Sequence, residues 1–252
     1  MFTVAETSSS IFKECYTKRI TGGILGYPHR KRSRDLATIC QRYFGKKTLD
    51  IGCGDLYFDK DIIPQQNSFV GCDLGWEDSL RKAKANIEEF NWENVEVTQS
   101  VGEYLPYRSQ IFELVLCFET LEHVDDEEKV LEEINRVTSE DAILVVSAPI
   151  EFGLMLILKE IFRELVSSPI YRGSHSKAVR KERYSLKEIL AAGVFGKPDL
   201  VQRVPHAHKG YDYRRTLELL NPDWQLIEQC NYPTRFLPDF LSYGCILVLK
   251  KL

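Results

Sequence analysis

Thr48-Leu-Asp-Ile-Gly-Cys-Gly-Asp-Leu-Tyr-Phe58 decides the fold: a β-like apolar run carrying one acid, Asp50, breaks at Gly52 and Gly54. Glycine has no Cβ, so the chain turns sharply there and its N–H groups can approach a bound anion at the start of the next helix. The implied unit is strand, ligand loop, helix. A Gly-x-Gly after a strand also occurs in dinucleotide-binding proteins and in ordinary tight turns, so the flanking sequence has to decide.

Upstream, residues 1–32 are polar and Gly-containing, and Thr21-Gly-Gly-Ile-Leu-Gly-Tyr-Pro28 reads as a turn. Ser33 then reads as an N-cap, with Leu36, Ile39, Cys40, Tyr43 and Phe44 at helical spacing up to Gly45. Downstream, Ser68–Asp73 is a second strand, 77–90 a charged helix, Val95–Thr98 a third strand and Phe112–Phe118 a fourth. Glu127–Val137 sets Val130, Leu131, Ile134 and Val137 on one helical face, and Ala142–Ala148 is an apolar strand closed by Pro149. Five strands separated mostly by helical patterns predict a parallel, doubly wound α/β sheet. The C-terminal part adds helices at 152–166 and 212–220. Strands at Trp224–Cys230 and Gly244–Lys250, joined without a helical pattern, predict an antiparallel edge pair. The expected whole is a Rossmann-like, seven-stranded, mostly parallel sheet. Residues 1–45 form an N-terminal cap segment and helix, and 46–252 the domain, with a helical insertion at about 150–212.

The 252 residues suffice for one large domain, and a net charge of -4 does not favour electrostatic nucleic-acid binding by the chain as a whole. Seven scattered cysteines without a C-x-x-C pair read as reduced thiols of a cytoplasmic protein. The first residues lack a signal-peptide pattern, and no apolar run approaches the ~18 residues of a membrane span.

In an open parallel sheet a ligand binds beyond the carboxyl ends of the strands, where strand order reverses. Asp73 ends the second strand about twenty residues past the glycines, where a carboxylate can accept hydrogen bonds from ribose hydroxyls. The third glycine of a dinucleotide fingerprint would fall at Tyr57, which disfavours NAD.

Leu49-Asp-Ile-Gly-Cys-Gly54, Asp73, Leu105-Pro106, Phe112-Glu-Leu-Val115 and Glu119-Thr-Leu-Glu-His-Val124 together resemble the successive motifs of class I S-adenosylmethionine-dependent methyltransferases. The nearest group looks like the ubiquinone and menaquinone biosynthesis type, over about residues 46–149. The resemblance implies S-adenosylmethionine as cofactor, with Gly52, Cys53 and Gly54 along its methionine part. Asp50 would meet its ammonium and Asp73, beside Leu74, its ribose. Val101 and Gly102 would follow the third strand, and Cys117, Phe118 and Glu119 would face the methionine side. Two positions depart from the family pattern: Leu56 stands where a small residue is usual, and Val101 where an acid often meets the adenine, with Glu103 two residues on. These departures motivate a second expectation, a non-catalytic S-adenosylmethionine-binding or scaffold protein.

A hydroxyl acceptor needs a general base, and histidine suits that work near neutral pH. His123, His206 and His208 are the candidates, with Glu119 beside them. In some quinone O-methyltransferases with a similar motif, positions such as Glu119, Glu122 and His123 hold a divalent cation. The bland reading is a cap that orders the loop, and no metal is assigned. At the N-terminus, Tyr16, Tyr27, His29 and Arg30 are expected either to fold over the cofactor or to form a tail.

The expected function is O-methylation of a small or lipid-linked acceptor, a sugar or a quinone. Helix 152–166 sets Leu154, Met155, Leu158, Ile161, Phe162 and Leu165 on one face and leaves Leu156 and Ile157 on the flank. Packing as a lid, contact with a bilayer surface and a dimer face are the three expectations for that surplus. The protein is accordingly expected to be cytoplasmic, with peripheral membrane contact through 152–166 as one alternative, and monomer or homodimer. Arg172, Lys177, Arg180, Lys181 and Arg183 beside a single acid form either a solvated loop or a clamp for a phosphate-bearing acceptor.

Overall fold

The computed structural model describes residues 26–166, 183–204 and 207–252. Cys15, Tyr16, the basic run from Arg172 to Lys181 and His206 lie outside those residues.

The elements in chain order are α1 (Tyr27–Cys40), β1 (Lys47–Ile51), β2 (Ser68–Asp73), α2 (Ser79–Phe90), β3 (Val95–Gln99), β4 (Phe112–Phe118), α3 (Glu127–Val137), β5 (Thr138–Pro149), α4 (Leu154–Val166), α5 (Tyr213–Leu220), β6 (Trp224–Tyr232) and β7 (Gly244–Lys251). A single turn at Leu186–Glu188 runs into a π-helix at Ile189–Val194. The seven strands form one sheet in the order β3-β2-β1-β4-β5-β7-β6. β1 to β5 pair in parallel, and β7 runs antiparallel to both β5 and β6. The doubly wound sheet with an antiparallel edge and a helical insertion after the fifth strand is thus the architecture of the chain.

Apolar residues of the central strands point alternately to two cores. Leu49, Ile51, Val115, Cys117, Leu144 and Val146 pack with the buried face of α3, where Val130, Leu131, Ile134 and Val137 repeat at helical spacing. Leu114, Leu116, Val145 and Val248 pack on the other side with Leu36 and Ile39 of α1. Asp126 caps α3, its carboxylate accepting the Lys129 N–H at 3.1 Å, with Glu127 and Glu128 in the positive first turn. The six described cysteines are unpaired and buried. No described helix is long and apolar enough to cross a membrane.

Two expectations are corrected. α1 begins at Tyr27 with Pro28 in its first turn, so Tyr27 and Pro28 leave the expected turn and Ser33 lies inside the helix. Proline's fixed φ and missing N–H suit that first position, which the turn reading of Tyr27-Pro28 overlooked. In α4, Leu156 is fully buried and Ile157 half-buried, while Leu154, Leu158 and Ile161 are exposed, the reverse of the expected faces. Lys159 sets this orientation: its Nζ donates inward to Glu151 Oε1 at 2.9 Å and to the Ile150 carbonyl at 3.3 Å.

Candidate active site

A cleft of about 440 Å³ opens at the carboxyl ends of β1, β2, β3 and β4, at the switch point between the two halves of the sheet. Gly52, Asp73, Leu74, Trp76, the Ser100–Glu103 turn, Glu119, Thr120 and His123 line it. Its size suits a nucleoside-sized ligand.

The glycine loop is built for close approach. Gly52 (φ +77°) and Gly54 (φ +56°) both adopt left-handed backbone, and a Cβ on Gly52 would lie 2.3 Å from Thr120 Oγ1. The Gly52 and Cys53 N–H groups both donate to the Cys72 carbonyl, which ties the loop to the end of β2. Asp73 completes the tie: Oδ2 accepts from Gly54 N–H at 3.1 Å, and Oδ1 from Gly75 N–H and the Ser79 hydroxyl, each at 2.7 Å. A carboxylate has about four acceptor sites, so with three used Asp73 is oriented and still able to accept from a ribose hydroxyl. Asp73→Ala is expected to weaken S-adenosylmethionine binding, read by calorimetry, by roughly 1–3 kcal/mol. Unchanged affinity would remove Asp73 from the ribose contact.

Beneath the loop lie two buried carboxyls, Asp50 and Asp59, each with one oxygen lacking a hydrogen-bond partner. Burial pushes both above the usual carboxylate range, and for Asp50 the facing Asp59 adds to it. The two carboxyls are paired with each other and neither lines the cleft, whereas the glycine loop and Asp73 above them fit S-adenosylmethionine. Cys53 packs with its sulfur against Gly71, and Cys117 and Phe118 sit in the cores on either side of the sheet. Glu119 and Thr120, one step further along, are what this strand end presents to the cleft. Val101 and Gly102 lie on its wall, and Glu103 accepts from the Asp125 and Asp126 N–H groups at 3.2 and 3.4 Å, so it braces the loop before α3. Leu56 is left-handed (φ 62°) and fully buried among Ile62, Ile63 and Phe69, so its bulk fills the core under the loop.

A polar cluster of side chains adjoins the cleft through Glu119 and His123. Glu119 sits in left-handed backbone (φ 51°), a costly conformation for a non-glycine residue and one concentrated at functional sites. Its Oε2 lies 2.8 Å from Arg32 Nη1, and its Oε1 accepts the Tyr232 hydroxyl at 2.9 Å. Burial alone would raise this carboxyl, but Arg32, aided by His208, Tyr232 and His29, holds it below the usual range. Glu122, three residues on, is the opposite case. It is fully buried with neither oxygen hydrogen-bonded, and burial and the Glu119 charge push it well above the usual range. Its Oε1 lies 3.9 Å from His123 Nε2 and 3.8 Å from His208 Nε2, and the two imidazole rings are 5.1 Å apart. Glu151, just past β5, bonds Lys159 and the Tyr184 hydroxyl and lies 4.0 Å from His208 Nδ1. His29 packs edge-on to Tyr243, and burial and Arg32 lower it.

Three of the sequence candidates, Glu119, His123 and His208, therefore meet in one cluster, and His29 of the N-terminal helix joins them, whereas Tyr27 is half exposed. Arg32, Asp59, Trp76, Glu122 as an unpaired acid, Glu151, Lys159 and Tyr232 emerged only from the fold. Glu151 had a usable signal, since it closely follows the apolar strand ending at Pro149, and strand ends carry such sites. Among the described residues, Glu122, His123 and His208 also offer three ligand atoms within 4.8 Å of one another.

Residues 44–190 match the family model described as "Methyltransferase domain". Over 150 residues the chain is 28% identical to ubiquinone biosynthesis O-methyltransferase of Salmonella paratyphi A; the alignment takes in 58% of the chain and 62% of that relative's length. Among solved structures, the N-methyltransferase NodS of Bradyrhizobium japonicum, in complex with S-adenosyl-L-homocysteine, superposes with a TM-score of 0.59 at 11% identity, covering 97% of this chain and 98% of NodS. Magnesium protoporphyrin IX methyltransferase of Synechocystis, also with bound S-adenosyl-L-homocysteine, gives a TM-score of 0.59 at 12% identity over 98% and 95% of the two chains.

Proposed function

The chain belongs to the methyltransferase-domain family of class I S-adenosylmethionine-dependent enzymes, and we propose that its acceptor atom is an oxygen of a small or lipid-linked molecule, a sugar or a quinone. The observation that carries this reading is Glu122, an unpaired buried carboxyl facing two imidazoles beside the cofactor cleft. The resemblance to ubiquinone biosynthesis O-methyltransferases supports it.

When bound, S-adenosylmethionine supplies an electrophilic methyl group on a sulfonium. The glycine loop and Asp73 would fix where that group enters, with Asp50 buried beneath the loop. The remaining work is to hold a hydroxyl close and in line in a site shielded from water, and to take its proton. A ring nitrogen of His208 or His123 accepts that proton, and the Glu122 carboxyl, whose Oε1 lies 3.8–3.9 Å from both Nε2 atoms, can give up its own proton as positive charge forms beside it. Glu119, kept anionic by Arg32 and Tyr232, faces the same space and favours the positive charge that builds up on the ring.

A panel of radiolabelled methyl-transfer assays against phenolic, sugar, amine and thiol acceptors tests the reading. Hydroxyl acceptors are expected to be methylated, and turnover of amines or thiols alone would sink it. A second reading has the Glu122, His123 and His208 donor atoms, all within 4.8 Å, holding a divalent cation that binds the acceptor oxygen. The two readings part on chelation. Activity is expected to survive EDTA, and a loss restored by added Mg²⁺ or Zn²⁺ would transfer the role to a cation.

A further inference from the structure

Among the described residues, His208 is the imidazole of the cluster that comes from the chain after β5, and the turn that carries it is tied down on both flanks. The Tyr211 N–H donates to the His208 carbonyl at 3.0 Å and the Val204 N–H to the Lys209 carbonyl at 3.2 Å, so the chain closes on itself around His208. Gly210 is left-handed there (φ +76°), and a Cβ on it would lie 2.9 Å from Arg203 Cα. Arg203 fixes one flank to the start of α3, donating to Glu127 Oε2 at 3.1 Å and to the Leu121 carbonyl at 3.2 Å. Lys209 fixes the other. Its Nζ donates to the Arg183 carbonyl at 2.8 Å and to Glu188 Oε2 at 2.9 Å, and lies over the Tyr184 ring.

Tyr184 joins this turn to the site. Its ring is buried, and its hydroxyl donates to Glu151 Oε2 at 3.0 Å while accepting the Gly210 N–H at 3.3 Å. The other oxygen of Glu151, Oε1, accepts from Lys159 and faces His208 Nδ1 at 4.0 Å. One phenol oxygen therefore spans the acid on one side of His208 and the backbone two residues beyond it. The imidazole stands between two acids, with Nδ1 toward Glu151 and Nε2 toward Glu122 at 3.8 Å. A carboxylate facing Nδ1 favours the tautomer that carries its proton there and leaves the Nε2 lone pair free to take another. A free histidine in water favours the opposite tautomer, so the arrangement has a measurable signature.

We propose that Tyr184 is a positioning residue for the proton-transfer step, holding Glu151 and the His208 turn together so that His208 keeps its proton on Nδ1 and presents Nε2 as the proton acceptor. This rests on the reading that an imidazole deprotonates a hydroxyl acceptor, and it selects His208 for that work. A base held in turn by an oriented acid is the arrangement that nucleophile activation by histidine commonly uses. The Tyr184 hydroxyl touches neither cofactor nor acceptor in this scheme and acts through Glu151 and the turn.

Nitrogen-15 NMR of histidine-labelled protein with S-adenosylhomocysteine bound tests the proposal without an acceptor, with the His208 signals assigned by their loss in His208→Gln. The wild-type protein is expected to show neutral His208 protonated on Nδ1. Tyr184→Phe keeps the ring and removes both hydrogen bonds, and is expected to return His208 toward the Nε2-protonated form. With the hydroxyl acceptor turned over fastest in the acceptor panel, the same variant should lose up to about 10²-fold in kcat, the scale of a displaced reacting group, while its calorimetric affinity for S-adenosylhomocysteine stays unchanged. Glu151→Gln should shift the tautomer in the same direction, and the double variant should lose no more in kcat than the more damaging single one, because both act on one imidazole. Should Tyr184→Phe fail to fold, Glu151→Gln still reads the tautomer. His208 protonated on Nε2 in the wild-type protein, or a tautomer that neither substitution changes, overturns the proposal even if kcat falls, since the loss would then be structural. Turnover of amines or thiols alone would remove the hydroxyl reading and leave the tautomer result standing, so the two failures are distinguishable.

Discussion

Glu122→Gln is expected to leave stability near its wild-type value at pH 5, to raise it at pH 8, and to cut methyl transfer by about 10²–10⁴-fold at both. The stability sign follows from linkage. Burial and the Glu119 charge raise the Glu122 carboxyl well above its usual value, so in the interval above that value the folded state binds more protons than the unfolded one. Wild-type stability then falls as pH rises, by up to about 1.4 kcal/mol per pH unit until the folded pKa is reached. Glutamine does not titrate, so the variant escapes that loss, and the melting-temperature difference should widen by about 2–4 °C per kcal/mol. The groups facing Glu122 are Glu119, Glu151, Arg32, His123 and His208, and the side chain reaches none of them closely enough to be neutralised. A melting difference that stays flat from pH 5 to pH 8 would mean that the carboxyl is ionised and paired, as a bound cation would make it.

The pairing of a lowered Glu119 with a raised Glu122, three residues apart, is a division of labour. When environments push two neighbouring acids in opposite directions, one serves as fixed charge and the other as a group whose proton can move. Here the difference is set by partners brought from far away in the chain. Arg32 and Tyr232 reach Glu119, and only half-exposed imidazoles approach Glu122. Activity and stability are therefore expected to pull against each other at Glu122, as they commonly do where a site keeps an unsatisfied group.

The sheet was legible because its strands are short, apolar and punctuated. β2, β4 and α3 fall on the residues their patterning indicates, since alternating burial and the Asp126 cap act locally. The cofactor cleft was legible for the same reason, as its parts are strand ends with turn chemistry. The insertion was misread at α4 because helical periodicity gives a stripe without saying which side faces the core, and the pairing of Lys159 with Glu151 decided that. The polar cluster was half legible. Glu119 and His123 lie in a recognisable motif, but nothing local in Tyr27–Cys40 shows that Arg32 crosses to them, because that contact is made by tertiary packing of α1 against the far end of β4.

That crossing carries the largest stability prediction. Arg32 is buried, its guanidinium 2.8 Å from Glu119 and stacked over Phe58 at 5.0 Å. Arg32→Met keeps a long apolar stem but leaves Glu119 with the Tyr232 hydroxyl as its closest partner. Breaking a buried pair from one side costs about 3–5 kcal/mol, because the remaining charge stays desolvated. That corresponds to a melting-temperature drop of about 6–20 °C in a chain of this size. The double variant with Glu119→Gln should recover much of the loss, which separates an uncompensated charge from a packing defect. The pH response should also invert. In the wild-type protein Arg32 holds Glu119 below its usual range, so the stability this pair gives is complete above that range and is lost as pH falls. Without Arg32, burial becomes the main influence and raises the carboxyl, so the variant should lose least at acidic pH and most at alkaline pH. Thermal melts of both proteins from pH 5 to pH 8 measure this directly, and parallel curves would show that Tyr232 and the nearby histidines hold Glu119 without Arg32.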